Sequence, residues 1–171
     1  MYQLRCTKKV QDVLGLKSSN LSEVKEESFV LGNWYVNTFT SNRRKCLLFM
    51  EEKTLMSFVL VGLRKEDHKG IGKVFQNGVN YLLKSEGISP EVLQAFENAP
   101  EQIEYTKTDS KQLLGNMNDL LATYEYFIHY DGGLGVCDLN EITMKINRTP
   151  QRNLDWKYSV DVLHEILGSA T

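Results

Sequence analysis

The chain is short of almost every residue pattern that announces a specialised chemistry. Its 171 residues include only three cysteines, Cys6, Cys46 and Cys137, which are far apart, odd in number and flanked by apolar neighbours. That excludes a disulfide frame and a paired-cysteine zinc site and leaves reduced core thiols. No charge of one sign dominates. Lys and Arg number 20 against 22 Asp and Glu, so no global field draws in DNA, RNA or an acidic membrane, and any nucleic-acid contact has to be local. No apolar run reaches the ~18 residues of a membrane span, and none follows a basic start; the expectation is a cytoplasmic protein with no membrane partner. Gly-x-Ser-x-Gly, His-Glu-x-x-His, paired Cys-x-x-Cys and dinucleotide fingerprints are all missing. The three histidines, His68, His129 and His164, are scattered, so neither a cofactor nor a metal site is expected.

What is present is ordinary globular material. Apolar residues make up 42% and charged residues 25%, which excludes a disordered or collagen-like chain. At this length a chain buries about two-thirds of its unfolded surface and folds without disulfides or metal, and it is read as a single domain over residues 1–171. No internal repeat or low-complexity tract occurs.

The first half reads as strands. Tyr2, Leu4 and Cys6 alternate with Gln3 and Arg5, the pattern of a half-buried strand. Thr7 then caps a short helix burying Val10, Val13 and Leu14 before Gly15. Lys17 to Ser28 is polar and acidic and reads as a mobile surface connection. Trp34 to Thr40, Cys46 to Met50 and Leu55 to Leu63 are strands rich in β-branched, aromatic and aliphatic residues. Both faces of Cys46–Met50 are apolar, so neither wants water. The polar link Glu51-Glu52-Lys53-Thr54 suits an antiparallel hairpin.

After residue 70 the period shifts to 3.6. Ile71, Val74, Phe75, Val79 and Leu82 form one helical face ending at Gly87, and Ser89-Pro90 opens a short helix that Pro100 closes. Ile103 and Tyr105 mark an edge strand. The clearest helix runs from Asn116 to Tyr130, with Asn116 as N-cap, Asp119 as its N3 acid, and Gly132 and Gly133 as its stop. Asp138 and Glu141 have capping-box spacing for a further helix, and Ser159 caps the last. Strands first and helices late, with tight polar turns, predict an α+β fold: a mainly antiparallel sheet of about five strands with helices packed on one side.

Three segments carry candidate chemistry. Asn42-Arg43-Arg44-Lys45 projects three cations from a hairpin end, where arginine forks can hold phosphates and Trp34, Tyr35 and Phe39 can stack; the plainer reading is a solvated turn with core aromatics. Arg64 to Lys73 runs from a strand end into a helix start and brings His68 and Lys73 to an anion-binding position, but Val74 stands where a phosphate loop needs Ser or Thr. Asn116, Asn118 and Asp119 can be read as ligands on one turn, although their spacing favours capping and leaves Asn118 over. Asp131-Gly132-Gly133-Leu134-Gly135 follows a helix and is a C-cap and turn before it is a phosphate cradle.

Leu4-Arg5-Cys6-Thr7-Lys8-Lys9, Leu31-Gly32-Asn33-Trp34, Arg44-Lys45-Cys46-Leu47-Leu48-Phe49 with Lys53-Thr54-Leu55, Leu114-Gly115-Asn116-Met117-Asn118-Asp119 and Asn147-Arg148-Thr149-Pro150 span nearly the whole chain. With these strings the sequence resembles an uncharacterised bacterial family, a domain of unknown function met in chromosomal and mobile-element settings. The resemblance implies no activity. It directs attention to Arg44, Lys45, Asn118, Asp119 and Arg148 as one shared surface. The leading expectation is a non-catalytic binding or regulatory module, linked to mobile elements or defence, that contacts nucleic acid or a protein partner through the local basic patch. The alternative is a small phosphate-ester-processing enzyme, a nuclease or nucleotide-acting protein, in which Arg43, Arg44 and Lys73 stabilise phosphate, His68 moves protons and Asp119 is an optional metal ligand. A scaffold serving self-association is the third reading.

Overall fold

The two apolar faces of the middle strands determine the layering. The computed structural model describes residues 2–27, 29–63, 70–99 and 101–168. Within them the strands are β1 (Tyr2–Cys6), β2 (Asn33–Ser41), β3 (Arg44–Glu51), β4 (Ser57–Val61) and β5 (Ile103–Lys107). The helices are α1 (Lys8–Leu14), α2 (Ile71–Ser85), α3 (Pro90–Glu97), α4 (Lys111–Tyr130), α5 (Leu139–Ile146) and α6 (Ser159–Leu167). The strands form one sheet in the order β4-β3-β2-β1-β5.

The fold is α+β, with two corrections to the expected detail. The sheet is mixed: β2–β3 and β3–β4 are antiparallel, but β1 is parallel to both β2 and β5. Parallel neighbours need a crossover, and α1 supplies it between β1 and β2, while α2 and α3 separate β4 from β5. Period-2 patterning marks a strand without its direction, so this was not legible from alternation. Helices also cover both faces. Leu47 and Phe49 join β1, α1, α2, α3 and α6 in one core, and Cys46, Leu48 and Met50 join α4 and α5 in the other. A strand apolar on both sides requires a layer on each.

The first core is built around aromatic rings. Phe75 packs against Tyr2, Trp34, Phe49 and Phe58 with ring centroids 5.1–5.9 Å apart, a geometry that adds about 0.5–1.5 kcal/mol per pair beyond area burial. Gly78 permits this closeness, since a Cβ there would stand 2.5 Å from the Phe58 ring.

Other local expectations are corrected by the same structure. β1 is buried along its whole length, because the described part (17–27) of the segment Lys17 to Ser28, expected to be a mobile surface connection, is tied over its polar face. Gln3 donates to the Glu23 carbonyl at 2.9 Å and accepts from the Lys25 N–H at 3.1 Å, and Arg5 pairs with Glu52 at 2.5 Å and donates to the Lys25 carbonyl. The long helix starts at Lys111 and is capped by Ser110, which accepts from the Leu113 N–H. Asn116 and Asp119 are therefore interior helical residues, since exposed Gly115 is absorbed into the helix without ending it. Tyr158, not Ser159, occupies the N-cap position of α6, and its side chain makes no capping bond. Thr7 and Asp138 cap α1 and α5 as expected. Pro100 lies outside the described residues.

Candidate functional site

A sheet has two edges, and here one of them lies at the floor of a groove. The Gly62 N–H bonds the Lys45 carbonyl and the Glu51 N–H bonds the Met56 carbonyl, each at 2.8 Å. Antiparallel pairing alternates, so within this register Phe58 and Leu60 point their backbone groups at β3, and Ser57, Val59 and Val61 point theirs outward. Asn147 occupies the first of these outward positions. Its amide accepts from the Ser57 N–H at 2.9 Å and donates to the Ser57 carbonyl at 3.0 Å, as a neighbouring strand would. Among the described residues nothing takes the N–H or C=O of Val59 or Val61.

The first of these open positions, Val59, faces a groove of about 430 Å³ between α2 and α5, and Val61 continues the open edge past the groove lining. Val74 and Tyr81 line it from α2, Leu139 and Met144 from α5, and Val59 and Leu60 from the edge itself. Val74, Tyr81 and Met144 are exposed, whereas Val59 is only 8% exposed; the edge is recessed below its walls. The walls are pinned where they meet, because Arg148, just past α5, makes a two-pronged bond at 2.6 and 3.0 Å to Glu86, at the end of α2. The Glu86 side chain is fully buried, so this pair holds a desolvated carboxylate and fixes the spacing of the two helices.

The residues singled out in the sequence are spread around the molecule. Asn42 and Arg43 form the β2–β3 turn, both with positive φ (49° and 62°), and Asn42 docks the tip by accepting from the Leu134 N–H at 2.9 Å. Arg43, Arg44 and Lys45 are exposed there. Lys73 is exposed on the first turn of α2, next to Gly72, whose Cβ position lies 2.7 Å from the Glu101 carbonyl, before β5 and at the sheet end opposite the hairpin tip. His68 lies outside the described residues. Asn118 accepts from Asn37 at 3.4 Å, and eleven residues of α4, about 16 Å at 1.5 Å per residue, separate it from His129 beside the hairpin tip. Arg148 is committed to Glu86. The structure does not gather these residues into one cleft, so the phosphate-ester reading has no geometric support among the described residues, and no group of three metal-ligating side chains occurs among them.

A second concavity, about 340 Å³, lies between α4 and residues 149–156. Asp119 and Thr123 line it from α4, and Gln151, Arg152 and Trp156 from the loop. The loop is closed by a bridge between Pro150 and Tyr158 and by the Gln151 N–H to the Lys157 carbonyl at 3.0 Å. At its turn Asp155 and Trp156 both have left-handed φ, 54° and 66°. That conformation costs a non-glycine residue about 1–2 kcal/mol, and it leaves Trp156 66% exposed.

Other polar groups tie elements together away from these concavities. The Tyr35 hydroxyl bonds the Asp109 carboxylate and accepts from the Ser110 N–H; burial first, then the Asp109 bond, pushes it up to about 12, so it stays a neutral tie between β2 and the start of α4. Burial also raises the Cys6, Cys46 and Cys137 thiols, away from the thiolate form that reacts.

Sequence reasoning missed the edge of β4, Asn147 as its cap, and Trp156. Asn147 stood inside a string read as a helix stop, and which backbone groups of a strand stay unpaired depends on its neighbours, which period alone does not give. Trp156 had a usable signal, since a tryptophan between Asp155 and Lys157 breaks the apolar spacing of both flanking elements.

A family model described as Domain of unknown function (DUF6933) matches residues 3–162. No curated protein and no solved structure matches the chain.

Proposed function

The chain belongs to the family of Domain of unknown function (DUF6933), and with no activity attached to that membership we propose that it is a non-catalytic binding module that takes an extended segment of a protein partner along the open edge of β4. One observation carries the reading: Val59 presents its outward backbone donor and acceptor at the floor of an apolar groove, and Val61 continues the same open edge beyond it. Strand addition draws affinity from such main-chain bonds and specificity from pockets for alternate side chains. The walls supply those pockets, with Val74, Tyr81 and Met144 exposed above Val59. Because α2 and α5 rise past the edge, a single chain fits between them, whereas the flanked edge of a second copy meets the same walls. Asn147 closes the Ser57 end and so sets the register at two open residues.

The test is selection of extended peptides from a displayed random library on the intact chain, followed by titration of the winners against Val59→Pro and Val61→Pro variants. Proline is tolerated on an edge strand where its missing N–H would have faced outward, so both variants should keep the native far-ultraviolet spectrum. Binding should fall by about tenfold or more in each, the equivalent of ~1.4 kcal/mol for a lost hydrogen bond. Selected peptides that bind the proline variants as well as the wild type would refute the reading.

The exposure of Arg43, Arg44 and Lys45 at the hairpin tip favours a second reading, contact with nucleic acid. Affinity for DNA or RNA should then fall steeply with salt and with charge reversal at Arg43 and Arg44; binding unchanged by both removes it.

A further inference from the structure

The Trp156 loop is built for something other than packing. A large apolar ring left 66% exposed contributes little to the core. Its left-handed backbone, next to a left-handed Asp155, is a conformation that bulky residues rarely take, and such outliers persist where the surrounding structure over-determines them, often at ligand sites. Here the bridge Pro150–Tyr158, the bond from the Trp156 N–H to the Gln151 carbonyl at 2.9 Å and the short 3-10 turn Arg152–Leu154 do so.

Around the cavity that Trp156 borders, the polar groups divide into two sets. Asn116 is engaged, donating to the Met50 sulfur and accepting from Asn153, and Thr123 donates to the Asp119 carbonyl. The side chains of Asp119, Gln151 and Arg152 have no partner among the described residues. An acceptor-only carboxylate, an amide that both donates and accepts, a cation and an aromatic face thus line one space of about 340 Å³, within the range of small-molecule sites.

We propose that this cavity binds a purine nucleotide, guanine before adenine. The base stacks on Trp156, its adjacent ring and exocyclic N–H groups donate to the Asp119 carboxylate, and the phosphate meets Arg152. A planar ring with a π-face is what an exposed indole recognises irrespective of base identity. The carboxylate then selects, because it only accepts and guanine is the base that offers two neighbouring donors to it. Arg152 distinguishes a nucleotide from a nucleoside, since guanidinium is suited to phosphate oxygens. This site is separate from the β4 groove and does not depend on what occupies it.

The chain has two tryptophans, and Trp34 is buried, so quenching by an added ligand reports on Trp156. The intact protein is titrated with GMP, guanosine, AMP and a neutral hexose, and the same series is followed by ligand-observed NMR. GMP should quench with a midpoint below about 1 mM, roughly tenfold tighter than AMP. Asp119→Asn should erase the preference over AMP, Arg152→Ala should erase the preference over guanosine, and Trp156→Phe should weaken GMP by NMR about fivefold or more. All three side chains are at the surface, and thermal melts establish that each variant is folded. Absence of nucleotide binding at ~5 mM, or GMP binding indifferent to both Asp119→Asn and Arg152→Ala, overturns the proposal; so does quenching by the hexose alone, which identifies a carbohydrate site instead.

Discussion

Replacing Asn147 with alanine removes the group that closes one end of the β4 edge. The side chain is 1% exposed and meets the Ser57 N–H at 2.9 Å and the Ser57 carbonyl at 3.0 Å. Ser57 is itself fully buried, so water cannot replace either bond. A buried backbone group left unsatisfied costs about 1–3 kcal/mol, and two of them give a loss of about 2–5 kcal/mol, a large share of the ~5–15 kcal/mol that holds a domain together. Urea unfolding followed by fluorescence and by circular dichroism should show the midpoint falling with an unchanged slope. Asn147→Asp sharpens the test. It keeps an acceptor for the Ser57 N–H but turns the donor to the Ser57 carbonyl into a second acceptor, so the folded state favours the protonated carboxyl. A folded pKa above the unfolded one contributes stability that is present at low pH and lost as pH rises; the Asp variant should recover toward wild type on acidification, and the Ala variant should not. A loss below about 0.5 kcal/mol in Asn147→Ala would refute the role given to this amide.

Arg148→Ala should destabilise by about 2–4 kcal/mol, since it strands the fully buried Glu86 carboxylate, and Arg148→Lys should recover only part of this because the two-pronged geometry is lost; urea midpoints measure both. Glu51 is 2% exposed, and burial raises its pKa despite three hydrogen bonds from Lys53 and Thr54. The ionised form is therefore a net cost at neutral pH, so stability relative to Glu51→Gln should rise as pH falls through the folded pKa, read as the difference in urea midpoint between pH 7 and the acid range. Of the three thiols, Cys137 alone is incompletely buried; a thiol reagent should label it first in the native protein and reach Cys6 and Cys46 on unfolding.

The parts of this molecule that were legible in the sequence are those fixed by near neighbours. Thr7 and Asp138 announce their helices, the Asn42-Arg43 pair sits at a hairpin turn, and the two apolar faces of Cys46–Met50 mark a central strand. The illegible parts depend on which segments meet. Gln3 and Arg5 look solvent-facing because their partners, Glu23, Lys25 and Glu52, lie some twenty to fifty residues on. Parallel pairing of β1 with β5 joins residues about a hundred apart. The groove is more distant still from local pattern, because its floor is defined by bonds that β4 does not make, and its walls are held by Arg148 and Glu86, 62 positions apart. Arg148 was singled out with a surface role in view; what it touches is a buried carboxylate.

Backbone amide exchange on β4 tests the central claim most directly. In the free chain Val59 and Val61 should exchange well ahead of Phe58 and Leu60, whose N–H groups face β3, and a library-selected peptide should slow Val59 and Val61 while leaving Phe58 and Leu60 as they were. Equal protection of all four in the free chain, or a bound peptide that leaves Val59 and Val61 unchanged, would contradict the open edge as the binding surface.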